Sequence, residues 1–381
     1  MRIVFASLPA FGHLYPMMPL ALACADAGHD VVVAAGQPFL DRLPIPTVAG
    51  VPAGFDLQSS IQETMRRHPG IAGRALALTL FADTTAEFVS ETLLTVFERA
   101  RPDLVVYEPL NVGAGVAADL LEIPAAAFAI GLTHSHIGTL HAETLGYHRH
   151  RWVRLGRQPP PETSLLAKAL LDPIPPSLQE PGDTTGVARI PIRPVAFSET
   201  IGAVPDWLTG PRARPRVYVT LGTVSFGAVE VLRRAVAEIA SLDVDVLVAV
   251  GPQGDPATLG EVAGNVRVER FVAQSEVLPL VDLVVHHGGT GTVLGALAVG
   301  LPQLILPQGA DQFHNARALT AIGAARALRN DEQSPGSIRD GVSALLTDER
   351  ERAVTIRLCD EIAALPAPAD VVAELVELVD R

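Results

Sequence analysis

Between Asp282 and Ala316 the chain reads as strand, glycine turn, helix and strand in immediate succession, a pattern that belongs to a parallel α/β sheet. The apolar run Leu283 to Val285 leads into His286 and His287, then into the turn Gly288-Gly289-Thr290-Gly291-Thr292. A helix starts there and closes at Gly300, with Pro302 beyond it. Such a turn aims unpaired backbone N–H groups and the positive end of a helix dipole at one point. Hydroxyls and an imidazole stand beside it, and the combination suits a phosphate. A glycine-rich turn alone is weak evidence. What strengthens this one is the polar cluster Asp311, Gln312 and Asn315 just after the next apolar run, Pro302 to Leu306. Consecutive strand ends of a parallel sheet open on the same crevice, so both clusters are expected to face one ligand, phosphate at one end and polyol at the other.

The same alternation extends through the chain. Ile3 to Ser7 predicts a strand, Leu14 to Ala27 a helix closed by Gly28, and Val31 to Ala35 a second strand, which together make one βαβ unit. Leu104 to Tyr107, a helix over Gly113 to Leu121, and Ala125 to Ala129 continue it. A second series begins at Val217 to Leu221, passes the loop Gly222 to Gly227, and runs through strands at Val244 to Val250 and Val266 to Val268. These strands are unbroken apolar runs, as expected where both faces of a sheet are covered. Nine prolines between Pro173 and Pro215 mark a stiff interdomain stretch, with the boundary expected near residue 200. The expected fold is α/β, two doubly wound parallel-sheet domains over residues 1–200 and 201–360, with a final helical segment, 361–381.

Composition excludes several classes. Hydrophobic residues make up 48% of the 381 and charged ones 19%, which describes a globular chain with a core. No apolar stretch approaches the roughly 18 residues that span a bilayer, and Val4 to Leu8 is too short for a signal-peptide core. A cytoplasmic protein with no membrane partner is expected. Cys24 and Cys359 are too few for a disulfide framework or a cysteine metal site. A net charge of −13 argues against nucleic acid as a partner.

His286-His287-Gly288-Gly289-Thr290-Gly291-Thr292, followed by Asp311-Gln312-Phe313-His314-Asn315-Ala316, resembles the donor signature of inverting nucleotide-sugar glycosyltransferases with the GT-B fold. The nearest likeness is to bacterial enzymes that decorate antibiotics and other natural products, among them macrolides. Gly12-His13-Leu14-Tyr15-Pro16 and Phe271-Val272-Ala273-Gln274 extend the resemblance over essentially the whole chain. It implies two Rossmann-like domains facing a cleft, the first for a small aglycone acceptor and the second for a nucleotide-sugar, with the last helix crossing back to the first domain. It implies no metal and no cofactor beyond the co-substrate, and it leaves homodimerisation open.

Within that frame His13 is the expected general base. It stands just after the first strand at the start of a helix, where the dipole keeps an imidazole neutral. Glu108 ends another parallel strand on the same sheet edge and would orient it. The family more often has aspartate at the Glu108 position. The acceptor is expected against Phe11, Tyr15, Phe81 and Phe128. For the donor, His286 is taken as the diphosphate ligand and His287 as packing. Gly288, Gly289, Thr290, Gly291 and Thr292 surround the phosphates, with Thr223 and Ser225 nearby. Phe271, Val272 and Gln274 are expected over the base, and Asp311 and Gln312 on the sugar hydroxyls. A dTDP-sugar is favoured over a UDP-sugar because Leu294 stands where plant relatives carry a ribose-binding glutamate.

Other readings compete. A UDP-glucose enzyme of broad acceptor range, a non-catalytic partner protein and a sugar-nucleotide epimerase all fit the fold. A dinucleotide oxidoreductase would need Gly-x-Gly-x-x-Gly where the chain has Ala10-Phe11-Gly12-His13. Asp243-Val244-Asp245 resembles a metal-binding Asp-x-Asp but lies at the start of an apolar strand, and is read as a solvated turn. Five of the eleven histidines fall between His134 and His150; their spacing fits no zinc site, and they are expected to line an acceptor loop.

Overall fold

The structure is a computed structural model that describes residues 1–132, 135–161, 165–179, 186–199, 204–222, 229–251 and 254–380. The chain divides into two compact units: Met1–Pro173 with Glu180–Arg193 and Pro366–Arg381, and Ile174–Gln179 with Pro194–Leu365.

Unit 1 is built on seven parallel strands: β1 (Arg2–Ala6), β2 (Asp30–Ala35), β3 (Thr47–Ala49), β4 (Leu104–Tyr107), β5 (Ala125–Phe128), β6 (Ala169–Asp172) and β7 (Ala188–Pro191), in the order β3-β2-β1-β4-β5-β6-β7. Unit 2 has six: β8 (Arg216–Thr220), β9 (Asp245–Ala249), β10 (Val266–Glu269), β11 (Leu283–His286), β12 (Gln303–Ile305) and β13 (Arg326–Ala327), in the order β10-β9-β8-β11-β12-β13. In each sheet the strand order reverses once, between β1 and β4 and between β8 and β11. Ligands of open parallel sheets bind at that switch point, outside the carboxyl ends of the strands.

The apolar runs are continuous because both faces are buried. Val217, Val219, Val246, Val248, Leu283 and Val285 enter one core of unit 2, while Tyr218, Leu247 and Val284, one residue out of step, enter another on the opposite face.

Three differences from the sequence reading have local causes. The helix expected over Leu14 to Ala27 is broken into Phe11–Leu14, a 3₁₀ turn at Tyr15–Met17, and Met18–Asp26. Pro16 and Pro19 stand at the starts of successive pieces, where a missing N–H is tolerated and continuation from the previous turn is not. The proline-rich stretch is more than a connector: it carries β7, whose last residue, Pro191, sits on an edge strand that can spare a donor. The edge strands β3 and β13 are too short, at three and two residues, to show a period.

The tail forms helices Ser337–Thr347, Glu349–Ala364 and Pro368–Asp380. The last packs on Met18–Asp26 and buries Val371, Val372, Leu375 and Leu378 within unit 1. Lys168 Nζ donates to the Leu378 carbonyl at 3.0 Å, closing one of the helix's terminal acceptors. No helix among the described residues is long and apolar enough to cross a membrane.

Candidate functional site

At the unit 1 switch point, β1 delivers His13 and β4 delivers Glu108. The His13 Nδ1 lies 3.0 Å from Glu108 Oε1, with Glu108 wholly buried and His13 partly exposed. The carboxylate is held from several sides. Oε1 also accepts from the Leu8 backbone N–H at 3.2 Å, and Oε2 from Leu110 N–H at 2.8 Å. The Glu108 carbonyl accepts from Asn111 N–H at 2.8 Å, which folds the Glu108–Asn111 turn onto itself. A buried carboxyl group pinned by two backbone amides is fixed in place, suited to selecting one imidazole tautomer.

Of the expected acceptor aromatics, Phe11 and Tyr15 meet edge to face at 5.1 Å, and Phe39, which sequence reading missed, joins them at 4.9 and 5.9 Å. Phe39 is wholly buried after Pro38; nothing in a lone Phe of a loop announces such a role. Phe81 lies on a π-helical turn, Leu80–Thr85, against two core clusters, and Phe128 is buried at the end of β5.

The histidine-rich segment is corrected. His141 and His148 are buried on the helix Ser135–His148, and His148 Nε2–H donates to the Ala82 carbonyl inside the π turn at 3.1 Å. His134 lies outside the described residues, as does the His136 side chain. Asp243 and Asp245, expected in a solvated turn, both face Arg214, at 3.6 and 2.7 Å, with Asp245 the first residue of β9.

In unit 2, β11 ends at His286 and the helix Thr290–Leu297 follows, with Gly289 as its N-cap. The first-turn amides of Thr290, Gly291 and Thr292 have no intrahelical acceptor, which leaves them for an anion. The side chains around them are tied together. Thr290 Oγ1 donates to Asp311 Oδ2 at 3.0 Å. The Asn315 amide, fully buried, donates to Gly288 O, Thr290 Oγ1 and Asp311 Oδ2 at 2.9 to 3.0 Å. Asn315, which the sequence places in the cluster without a role, is therefore its hub. Its signal was the i, i+4 spacing from Asp311 on one helix. Gln312 is buried and its Oε1 accepts from the Gln308 and Gly309 amides at 2.8 and 3.1 Å. Thr292 Oγ1 donates to Gln274 Oε1, and Gln274 Nε2 to the Tyr218 hydroxyl, each at 3.3 Å. Val272 is buried and Phe271 stands 41% exposed, free to take a flat ring. Thr223 and Ser225 lie outside the described residues.

In the histidine pair it is His286, expected at the diphosphate, whose ring is the more enclosed. His286 is fully buried, with Nδ1 accepting from Gly288 N–H at 3.1 Å and Nε2–H donating to Gln303 Oε1 at 2.9 Å, so both ring nitrogens are spent inside the protein. Burial and the neighbouring His287 push its pKa down to about 3. His287 has a buried Nδ1 with no protein partner, and burial lowers its pKa to about 4 against an opposing pull from Asp311. Its ring fills the space beside Gly222 and Gly289: a Cβ added at either glycine would fall 2.5 Å from it.

This arrangement matches known proteins over its whole length. Residues 22–222 and 233–378 fit the family models described as the N- and C-terminal domains of erythromycin biosynthesis protein CIII-like proteins. The L-demethylnoviosyl transferase of Streptomyces niveus is 35% identical, covering 98% of this chain and 97% of that protein. The 10-deoxymethynolide desosaminyltransferase of Streptomyces venezuelae is 29% identical over 99% and 97%. Among solved structures, the glycosyltransferase SnogD from Streptomyces nogalater superposes with a TM-score of 0.81 at 28% identity, covering 100% of this chain and 99% of that one. The spinosyn rhamnosyltransferase SpnG, complexed with thymidine diphosphate, gives 0.82 at 28% over 99% and 100%. Two matched domains, full-length relatives and a shared pair of parallel sheets place this chain in the erythromycin CIII-like family, the bacterial antibiotic glycosyltransferases of the GT-B fold.

Proposed function

We propose that the protein moves a hexose or deoxyhexose from a dTDP-sugar to a hydroxyl of a small natural-product aglycone, with inversion and without a metal ion. The observation that carries this reading is the 3.0 Å pair of His13 and Glu108 at the unit 1 switch point. His13 takes the proton of the acceptor hydroxyl through the ring nitrogen away from Glu108, and the carboxylate stabilises the imidazolium that forms. The deprotonated oxygen attacks the anomeric carbon from the face opposite the leaving diphosphate, which inverts that centre. The departing negative charge is received by the amides of Thr290, Gly291 and Thr292 at the helix N-terminus and by His287, in place of His286. Asp311, aligned by Asn315 and Thr290, is assigned to the sugar hydroxyls, and Phe271 to the nucleobase. The relatives' names support a deoxysugar, and the thymidine diphosphate complex of SpnG supports dTDP.

Titration calorimetry with dTDP and UDP, side by side without divalent ions, tests the donor. Tighter binding of dTDP is expected. Tighter UDP binding would redirect the enzyme to UDP-glucose, and binding of neither would remove the donor site from unit 2.

A further inference from the structure

Glu108 is flanked in sequence by Tyr107 and Pro109, and Tyr107 is held by a pair of residues from elsewhere in unit 1, Leu166 and His141. The Tyr107 hydroxyl donates to the Leu166 carbonyl at 2.9 Å, and the Leu166 N–H donates to His141 Nδ1 at 3.1 Å. With Nδ1 accepting, the His141 proton resides on Nε2, which is buried with no hydrogen-bond partner, while the Pro109 backbone lies near the ring. The His141 and Tyr107 rings lie 6.2 Å apart, tilted by 31°, and neither residue reaches solvent. Gly115 leaves no slack beside them, since a Cβ there would fall 2.8 Å from the Tyr107 hydroxyl and 2.9 Å from Leu166 Cβ. A chain of hydrogen bonds, Tyr107 to Leu166 to His141, therefore anchors the residue that precedes Glu108.

We infer that His141 is a positioning residue, which acts through the Leu166 backbone and Tyr107 to hold Glu108 against His13. The inference rests on the dyad proposed above. A buried neutral imidazole suits the task, because it accepts from one backbone amide while carrying no charge that would compete for Glu108. Burial holds its pKa down at about 4, so it stays neutral wherever His13 works.

The test is an NMR titration of the His13 imidazole in the full-length protein, its signal assigned by comparison with His13→Ala. Removing the partner carboxylate with Glu108→Gln should lower the His13 midpoint by roughly 1 to 3 pH units. His141→Leu should move it part of the way in the same direction. His141→Gln should restore it, since a carboxamide can accept from Leu166 N–H. Tyr107→Phe, which removes only the hydroxyl at the other end of this chain of hydrogen bonds, should lower the midpoint too and covers the case where His141→Leu fails to fold. A His13 midpoint unmoved in folded His141→Leu or Tyr107→Phe, while Glu108→Gln shifts it, would overturn the inference and spare the dyad. No shift in Glu108→Gln would overturn the dyad itself.

Discussion

On the proposed reading the two adjacent histidines divide structural and binding work, and substitution should separate them. His287→Ala should weaken dTDP binding roughly 10-fold or more, the scale of one hydrogen bond to a charged group, and leave thermal stability nearly unchanged. His286→Ala should do the reverse. It leaves the buried Gln303 amide and the Gly288 N–H without their partner, at a cost of about 1 to 3 kcal/mol in a denaturant melt. His13→Ala should slow turnover about 10²- to 10⁴-fold with dTDP affinity intact, read by product formation and calorimetry. Acid sensitivity follows from the same residues. His141, His286 and His287 are held near pKa 4, 3 and 4 in the folded chain, below the ordinary value of 6.5. The unfolded chain therefore binds more protons, and their support is complete above about pH 6.5 and lost as pH falls toward 4. Each contributes up to about 1.4 kcal/mol per pH unit, so urea midpoints should drop steeply between pH 6.5 and 4.5. The sequence brought His13 and Glu108 to one sheet edge because both stand at strand ends, where topology fixes the direction. It could not rank His286 against His287, since neighbours at the end of a strand point to opposite faces and no period survives to say which faces the mouth.

At the scale of elements, the turn before the helix Thr290–Leu297 depends on glycine at some positions and merely contains it at others. Gly288 has φ of +94°, and a Cβ there would meet Ile305 Cγ2 at 2.8 Å. Gly288→Ala should cost at least about 1–2 kcal/mol in backbone strain alone and abolish dTDP binding as the turn shifts. Gly291→Ala meets nothing within 4 Å and keeps its amide, so it should fold and bind, and melting curves with and without dTDP will distinguish the two. Central strands were readable because burial on both faces writes an unbroken apolar run, as in Leu104–Tyr107. The edges were not: β3 is partly exposed and β7 lies among prolines that read as a linker. The first helix was readable in extent but not in its break, because two prolines three residues apart allow either a kinked helix or separate turns.

For the whole molecule, both sheets were expected from the repeated strand–helix alternation, whereas the return of the final helix to unit 1 came from family resemblance alone. An amphipathic helix shows that it must dock but not where. The helix Pro368–Asp380 is a dependency of unit 1, and Leu375, wholly buried in it, is the residue to probe. Leu375→Ala should lower stability by about 2–5 kcal/mol while leaving dTDP affinity unchanged, since the residues proposed for the nucleotide belong to unit 2. A loss of dTDP binding in a folded variant would mean that the units are energetically coupled. The same helix bears on how the protein is made. Most of unit 1 precedes unit 2 along the chain, yet one of its packed elements emerges from the ribosome only after all of unit 2 has been translated. Unit 1 must wait, incomplete and with apolar surface on Met18–Asp26 uncovered, until synthesis of unit 2 has finished. A chain released before this helix would carry a complete unit 2 and a unit 1 that leaves apolar surface exposed, the condition that favours aggregation.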